Sequence, residues 1–177
     1  MYQTLAKIGK KFFSDAIIFK VGFNISPMYR RSTGRIINVT KDLLKAEVKI
    51  RLSYKNRNYV GTIYGGSLFS ATDPIYMIQL INILGKEYVV WDKSAEIKFK
   101  RPAKKTAYAT FEFTEEEIEG IKKQIADQKE IELIKNLNII SEEGDVYCEL
   151  SKTIYIADKR YFKEKRKTKK LQNESKN

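Results

Sequence analysis

The sequence predicts an α+β fold in which one antiparallel sheet wraps around a single long apolar helix, with another helix at the N-terminus. Residues 66–84 form an almost uncharged apolar stretch of helical length. The segments before and after it alternate apolar and polar residues with a period of two, which is typical of half-buried strands. A chain of 177 residues fits one domain with a sizeable core. Wrapping the sheet around the helix buries the apolar faces of both.

Residues 4–20 predict an amphipathic helix, because apolar residues recur at helical spacing with lysines on the other side. The apolar positions are Leu5, Ile8, Phe12, Ala16 and Phe19. We expect this helix to dock on the domain, and a helix lying on a membrane surface is the alternative.

Strands are predicted at residues 35–40 and 46–54, before a turn-rich loop at 55–65 and the apolar helix, which Gly85 is placed to end. A second helix is predicted at 115–128, where three glutamates occupy the first turn. The other predicted strands are 88–92, 95–99, 107–113, 131–140 and 146–156, with Gly144 in the last turn. Residues 1–157 therefore form one domain. Because such a sheet leaves an edge exposed, we expect a homodimer or a dimer of dimers.

The chain has 34 basic and 22 acidic residues, a formal net charge of +12. Residues 158–177 hold nine of the basic residues and three of the acidic ones. We predict that this basic C-terminal tail is disordered and solubilising. A nucleic-acid-binding arm is a weaker interpretation, because Tyr161 and Phe162 are its only aromatic residues.

The sequence contains no histidine and one cysteine, Cys148. It therefore excludes histidine-based triads and intrachain disulfides, and we expect no metal or other cofactor. Cys148 alternates inward with its neighbours and is predicted to lie in the core. A reducing, cytoplasmic location is expected, and no membrane span, because the apolar stretch also contains several polar residues.

Asp73 is the only charged residue between Gly66 and Leu84. A buried carboxylate is costly unless it is paired or used, so Asp73 is the leading candidate for a functional group. Asp73 could alternatively cap the segment after Pro74, which cannot donate a hydrogen bond to Ser70.

The sequence Asn58-Tyr59-Val60-Gly61-Thr62-Ile63-Tyr64-Gly65-Gly66, followed by Asp73, resembles the motif of hotdog acyl-CoA thioesterases of the phenylacetyl-CoA thioesterase type. Asn58, Gly61, the Gly65–Gly66 pair and Asp73 match the pattern, and Tyr64 stands where that family usually has histidine. The stretches 91–93 and 99–102 look like a hotdog branch of unassigned function. The resemblance implies a hotdog fold over roughly residues 33–157.

The resemblance also implies an acyl-CoA or acyl-carrier thioester as the substrate. Asp73 would be the general base or nucleophile, and the N–H groups of Gly65 and Gly66 would form the oxyanion hole. Gly66 and Asp73 are seven residues apart, so they share a helix face but differ in rise by roughly 10 Å. A site shared between two subunits resolves this separation, as in the resembling thioesterases.

Other residues keep two interpretations each. Asn58 either orients water or substrate, or shapes its turn. The two glycines could merely permit close packing, and Tyr64 is either a hydroxyl donor or a core residue. Lys98, Lys100 and Arg101 could meet the phosphates of coenzyme A, or form a solvated strand face.

A thioesterase is the first functional hypothesis, and a non-catalytic domain that binds acyl thioesters or lipids is the alternative. The missing histidine favours that alternative to some degree, and it excludes the hotdog dehydratases and hydratases, which need a catalytic histidine.

Overall fold

The computed structural model describes residues 13–174. Six strands form one antiparallel sheet: β1 (Gly34–Val39), β2 (Lys45–Ile50), β3 (Tyr88–Phe99), β4 (Ala107–Glu112), β5 (Glu130–Ile140) and β6 (Val146–Asp158). Their order across the sheet is β1-β2-β4-β5-β6-β3. The helices are α1 (Asp15–Ile25), α2 (Pro27–Arg31), α3 (Gly65–Thr72), α4 (Ile75–Leu84), α5 (Glu115–Gln128) and α6 (Lys159–Glu174). This is the hotdog architecture, as predicted.

The predicted central helix is interrupted in the structure. Helix α3 ends at Thr72 and α4 begins at Ile75, with Asp73 and Pro74 between them. Pro74 has no N–H to donate to the carbonyl of Ser70, so the helical ladder breaks there. Gly85, with φ of 83°, ends α4 as expected. Both halves bury apolar residues against the inner face of the sheet, among them Leu68 in α3 and Ile75 and Leu80 in α4.

The two predicted strands at 88–92 and 95–99 form one strand, β3, with a bulge between Asp92 and Ser94. A bulge adds a residue without ending the strand, and it shifts the alternation of side chains by one. The predicted alternation from Ala46 stops earlier than expected, because β2 ends at Ile50. Helix α5 spans the predicted residues, and its N-terminus is a capping box formed by Thr114 and Glu117.

The two edges of the sheet differ. Helix α1 covers the β1 edge, where the Asn24 side chain donates to the Ile36 carbonyl (2.8 Å) and accepts from its N–H (2.9 Å). Lys20 Nζ donates to the carbonyl of Ile37. Strand β3 lies at the other edge, and no described element pairs with its open side. The part of the predicted N-terminal helix before residue 13 lies outside the described residues.

The C-terminal tail is helical rather than disordered over Lys159–Glu174, so the expectation of disorder is wrong there. Asp158 Oδ1 accepts from the N–H groups of Arg160 and Tyr161, both at 2.9 Å, which starts the helix. Lys165 then binds Glu130 at 2.6 Å, and the Phe162 ring packs on Tyr155. Contacts to the sheet therefore order the first turns of a strongly basic segment. None of the described helices is both long and apolar enough to cross a membrane.

Candidate active site

A buried lysine that the sequence interpretation missed forms the centre of the candidate site. Strand β6 turns Cys148, Leu150, Lys152, Ile154 and Ile156 towards the helices, and all five are buried. The Lys152 side chain is 0% exposed. The inward alternation noted at Cys148 extends to position 152, so the same pattern could have identified this lysine.

Lys152 Nζ uses its three donors on two carboxylate residues. It donates to Asp73 Oδ1 at 3.0 Å, to Asp92 Oδ2 at 2.8 Å and to the backbone carbonyl of Asp73. No backbone N–H of the described residues bonds to that carbonyl, because Asp73 lies between α3 and α4. The ammonium also lies at the C-terminal end of α3, where the helix dipole favours a positive charge. The lysine is therefore fully hydrogen-bonded despite its burial.

Asp92 faces the same interior from the edge strand. Burial raises the pKa of its carboxyl, and the hydrogen bond from Lys152 partly opposes that rise. Its Oδ1 atom is buried and has no hydrogen-bond partner within the described residues. The negative charge of Asp73 nearby also raises the pKa of Asp92. Asp73, Asp92 and Lys152 thus form one ion-pair cluster, which we call the acid–lysine cluster.

Asp73 is less buried than its apolar surroundings in the sequence suggest. Its side chain is 47% exposed in the single chain, so the expectation of a buried carboxylate is wrong for the isolated protomer. The alternative of a helix cap is not what the geometry shows, because no side chain caps α4. Lys152 holds Oδ1, whereas Oδ2 has no protein partner among the described residues. One oxygen is therefore fixed and the other is available.

The loop before α3 is held by two asparagines. Asn58, a predicted catalytic residue, accepts from the N–H groups of Val60 and Thr62 and donates to Thr62 Oγ1, all within 3.1 Å. Its side chain is thus occupied in shaping the turn. Asn56, which the sequence interpretation missed, is buried and accepts at its backbone carbonyl from the Tyr64 N–H at 2.7 Å. Together they fix the backbone that leads into the turn formed by Gly65 and Gly66, which we call the glycine turn.

Gly65 and Gly66 form the first turn of α3, where backbone N–H groups have no helical acceptor. Among the described residues, neither N–H donates to a protein group. A Cβ on Gly65 would lie 2.8 Å from the ring of Phe99, and a Cβ on Gly66 would overlap the ring of Tyr64. A side chain at either position would therefore have to displace an exposed aromatic ring, and the two free N–H groups remain available for an anion or a carbonyl oxygen.

Tyr64 is the residue before this turn, and its side chain is mostly exposed in the single chain. This exposure excludes the interpretation of Tyr64 as a core residue of the isolated protomer. The structure does not place its hydroxyl on any protein group within the described residues.

Lys98, Lys100 and Arg101 lie on the surface at the end of β3 and just beyond it. Each forms an ion pair with a carboxylate: Lys98 with Glu96, Lys100 with Glu149, and Arg101 with Asp145. All six side chains are well exposed. These exposed ion pairs are typical of a solvated strand face, and contact of the three cations with coenzyme A phosphates stays a prediction.

An apolar strip connects the acid–lysine cluster to the glycine turn. After the bulge, Ala95, Ile97 and Phe99 face the same side of the sheet as Lys152, since Ala95 pairs with Lys152 and Phe99 pairs with Cys148. Ala95 and Phe99 are nevertheless exposed, and Ile97 is half-buried. The strip ends with Phe99 against Gly65. The structure thus arranges Asp73 and the glycine pair along one open strand, whereas Lys98 and Lys100 point to the opposite face of that strand.

No metal site is evident in this region. Residues 13–174 contain no cluster of three or more acidic or cysteine side chains that could hold an ion. The groups present at the site are a carboxylate, an ammonium group, two backbone N–H groups and an apolar strip.

Comparisons with known proteins give a consistent result. A family model described as "Domain of unknown function (DUF4442)" matches residues 9–156. A Pseudomonas aeruginosa protein of unknown function, described as a probable thioesterase, has a similar structure, with a TM-score of 0.65 and 19% identity. That similarity covers 73% of this chain and 86% of the other.

Two further solved structures are similar. A Chlorobaculum tepidum protein of unknown function has a TM-score of 0.61 at 17% identity, covering 88% of this chain and 96% of its own. A Haemophilus influenzae thioesterase has a TM-score of 0.57 at 12% identity, covering 83% of this chain and 92% of its own. These likenesses establish the shared fold. No curated protein matches the sequence.

Proposed function

Because the chain belongs to the family described as "Domain of unknown function (DUF4442)" and has the fold of thioester hydrolases, we propose that it hydrolyses acyl-CoA-type thioesters at a site shared by two protomers. The observation that carries the proposal is the position of Asp73. Its Oδ1 is fixed by a fully buried lysine, while its side chain stays 47% exposed beside an open sheet edge.

In the proposed reaction, Asp73 acts as general base. Its free oxygen takes a proton from water as the water oxygen attacks the thioester carbonyl carbon. The N–H groups of Gly65 and Gly66 stabilise the oxyanion. Collapse of the tetrahedral intermediate breaks the carbon–sulfur bond, and the thiolate takes up the proton to leave as a thiol. Direct attack by the carboxylate, followed by hydrolysis of the anhydride, uses the same groups.

The geometry of one chain separates these groups. From Gly65 to Asp73 the helical rise is about 12 Å. Ala95 pairs with Lys152, and Phe99 lies against Gly65. The distance along β3 from Ala95 to Phe99 is about 13 Å. One carbonyl group cannot reach both. A second copy is therefore needed if Asp73 and the glycine turn act on the same carbonyl.

The open edge offers a way to bring in that second copy. The N–H of Lys100 donates to the carbonyl of Tyr147 in β6. Because the backbone groups of successive residues in a strand point to opposite sides, those of residues 95, 97 and 99 point away from β6. Antiparallel pairing of two β3 strands about Ile97 would set position 95 opposite position 99 of the second copy. The glycine turn of one protomer would then lie beside Asp73 of the other, with the apolar strips lining the space between for an acyl group.

Assays of the purified full chain against acyl-CoAs of different lengths, with thiol release as the readout, test the proposal. We expect hydrolysis by the wild type and a loss of at least about 100-fold in Asp73→Asn. Asp127→Asn, which changes an exposed acid on α5, is the matched control and should keep full activity. Thermal melting confirms that each variant is folded. Hydrolysis that survives Asp73→Asn would rule out the proposed mechanism.

A subunit-mixing experiment tests the shared site. Asp73→Asn and Gly65→Val are each expected to be inactive alone. In a mixed dimer, one of the two sites keeps both an intact Asp73 and an intact glycine turn. Co-expression should therefore restore roughly a quarter of the wild-type activity if the two chains associate at random. No restoration would indicate that each site is built within one chain.

A non-catalytic domain that binds acyl thioesters remains the second candidate. The ion pair between Asp73 and Lys152 favours it, because the pairing gives the carboxylate a structural role that needs no catalysis. Tight binding of acyl-CoA without hydrolysis by the wild type would support this alternative.

A further inference from the structure

Helix α1 has a stripe of large apolar side chains on its outer side. Phe13, just before the helix, and Ile17, Val21 and Ile25 within it follow one another at intervals of four residues, so they lie along one face. Met28, on the following helix α2, is exposed as well. Their exposed fractions range from 47% to 65%. We call these five residues the α1 stripe.

The inner side of α1 is already packed. Ala16 and Phe19 are buried, and Phe23 packs against the rings of Phe19 and Tyr29. The helix therefore has apolar side chains on two sides, although only the inner side packs against the rest of the domain. A helix that is apolar all round is normally covered on every side. A continuous apolar surface of this kind marks a place where a partner binds.

The charge of the sequence indicates which partner. Residues 1–41 contain eight basic residues and one acidic residue. Residues 42–157 contain 17 basic and 18 acidic residues, so the centre of the chain is almost neutral. The excess positive charge is therefore concentrated in the N-terminal region and in the C-terminal tail, which holds nine basic and three acidic residues.

Several of these cations are exposed close to the stripe in sequence. Lys20 lies on α1 between Ile17 and Val21 and is exposed. Arg30, Arg31 and Arg35 are also exposed, and none forms an ion pair within the described residues. Elsewhere on the surface several exposed lysines are paired with acids, as Lys100 and Lys105 are. The positive charge around the stripe is thus left uncompensated.

We propose that the α1 stripe binds the surface of an anionic lipid membrane, an interaction beyond the proposed hydrolysis. Its apolar side chains enter the boundary between headgroups and acyl chains, while the neighbouring lysine and arginines contact lipid phosphates. A second copy of this chain fits less well, because two such faces would bring like charges together. The helix has 11 residues, which is suited to lying on a membrane and too short to cross one.

Co-sedimentation of the full chain with vesicles tests the proposal. We expect binding to vesicles of phosphatidylcholine with phosphatidylglycerol, and at least about tenfold weaker binding to phosphatidylcholine alone or at high salt. The double variant Ile17→Ser/Val21→Ser should bind the anionic vesicles at least about tenfold more weakly. Ile134→Ser is the control, because Ile134 on strand β5 is an isoleucine more exposed than Ile17 or Val21 and lies outside the stripe. It should bind like the wild type.

Three results would overturn the proposal. The first is no binding of the wild type to the anionic vesicles. The second is binding that persists in the stripe variant but is lost in Lys167→Glu/Lys169→Glu on helix α6, which would assign the interaction to the C-terminal helix. The third is a lower molecular mass of the stripe variant by light scattering, which would show that the stripe joins two copies. Thermal melting of each variant separates these results from misfolding.

Discussion

Lys152 and Asp73 are 79 residues apart in the chain and meet as an ion pair 3.0 Å long at the break between α3 and α4. The contact depends on two local features: an inward-facing lysine on β6, and the break between α3 and α4, which leaves the carbonyl of Asp73 without a helical partner. Asp92 completes the arrangement from the edge strand. A catalytic candidate and its support thus come from three separate segments of the chain.

Removing the lysine should destabilise the fold. Lys152→Met leaves Asp92 with a buried charge and no cation, and one-sided loss of such a partner costs roughly 3 kcal/mol of unfolding free energy. Urea denaturation measures the change. Lys100→Met, which removes an exposed ion pair, should cost less than about 1 kcal/mol. The double variant Lys152→Met/Asp92→Asn should recover part of the loss. Equal stabilities of Lys152→Met and the wild type would contradict a structural role for the lysine.

The pH dependence of stability should show the burial of Asp92. Because burial raises the pKa of this carboxyl, the folded state binds its proton more tightly than the unfolded state does. The resulting stabilisation is complete below the ordinary aspartate pKa of about 3.9 and is lost as pH rises through the raised value. The unfolding free energy of the wild type relative to Asp92→Asn should therefore fall with rising pH in that interval.

Asp42 gives a control of opposite sign. A hydrogen bond from Thr40 lowers the pKa of the Asp42 carboxyl, so its contribution to stability is lost as pH falls. Relative to Asp42→Asn, the wild type should gain stability with rising pH. The same slope for both aspartates would contradict the assignment of their environments.

Much of the fold could be predicted from the sequence because its signals are local. The alternation in β2, β4 and β6, the glutamates and Thr114 at the start of α5, and Gly85 after α4 each act within a few residues. The proline that interrupts the helix at Asp73–Pro74 is also visible in the sequence, but the bond from Lys152 to the carbonyl of Asp73 is not. The bulge in β3 could not be read, because the shift of alternation looks like the end of one strand and the start of another.

The candidate site was predicted only in part. Asp73, Gly65 and Gly66 were found through their motif, but Lys152 was missed although it lies on the inward face of β6. Because a lysine is rarely buried, its residue type predicts an exposed side chain even at an inward-facing position. The exposure of Asp73 depends on how far α3 and α4 cover the edge strand, which is a tertiary property. The helical C-terminal segment depends on Glu130 and Tyr155, which lie on distant strands.

The contact between Gly65 and Phe99 leads to another prediction. A methyl group at position 65 would lie 2.8 Å from the Phe99 ring, which is closer than carbon atoms pack, so Gly65→Ala must displace the ring or the turn. We expect a marked loss of the proposed thioesterase activity with a small change in melting temperature, because Phe99 is exposed. Gly65→Ala/Phe99→Ala should regain activity relative to Gly65→Ala if displacement is the cause. No regain would show that the glycine is needed for its backbone alone.

Cys148 should be unreactive in the folded protein. It is fully buried, and burial raises the pKa of its thiol to about 11, so almost no thiolate is present at neutral pH. Labelling with a disulfide reagent at pH 8 should be slow without denaturant and rapid in concentrated urea. Rapid labelling of the folded chain would indicate that the core around β6 opens easily.

The open edge of β3 leads to a prediction about assembly. Ile97 turns its backbone N–H away from β6, so Ile97→Pro leaves the internal ladder intact and removes a donor from the proposed pairing of two β3 strands. Light scattering should give a dimer for the wild type and a folded monomer for Ile97→Pro. Ile97→Ala controls for the lost side chain and should remain dimeric. Lys98→Pro removes an N–H that faces β6, so it should lower the melting temperature instead. A dimeric Ile97→Pro variant would mean that the copies associate through a different surface.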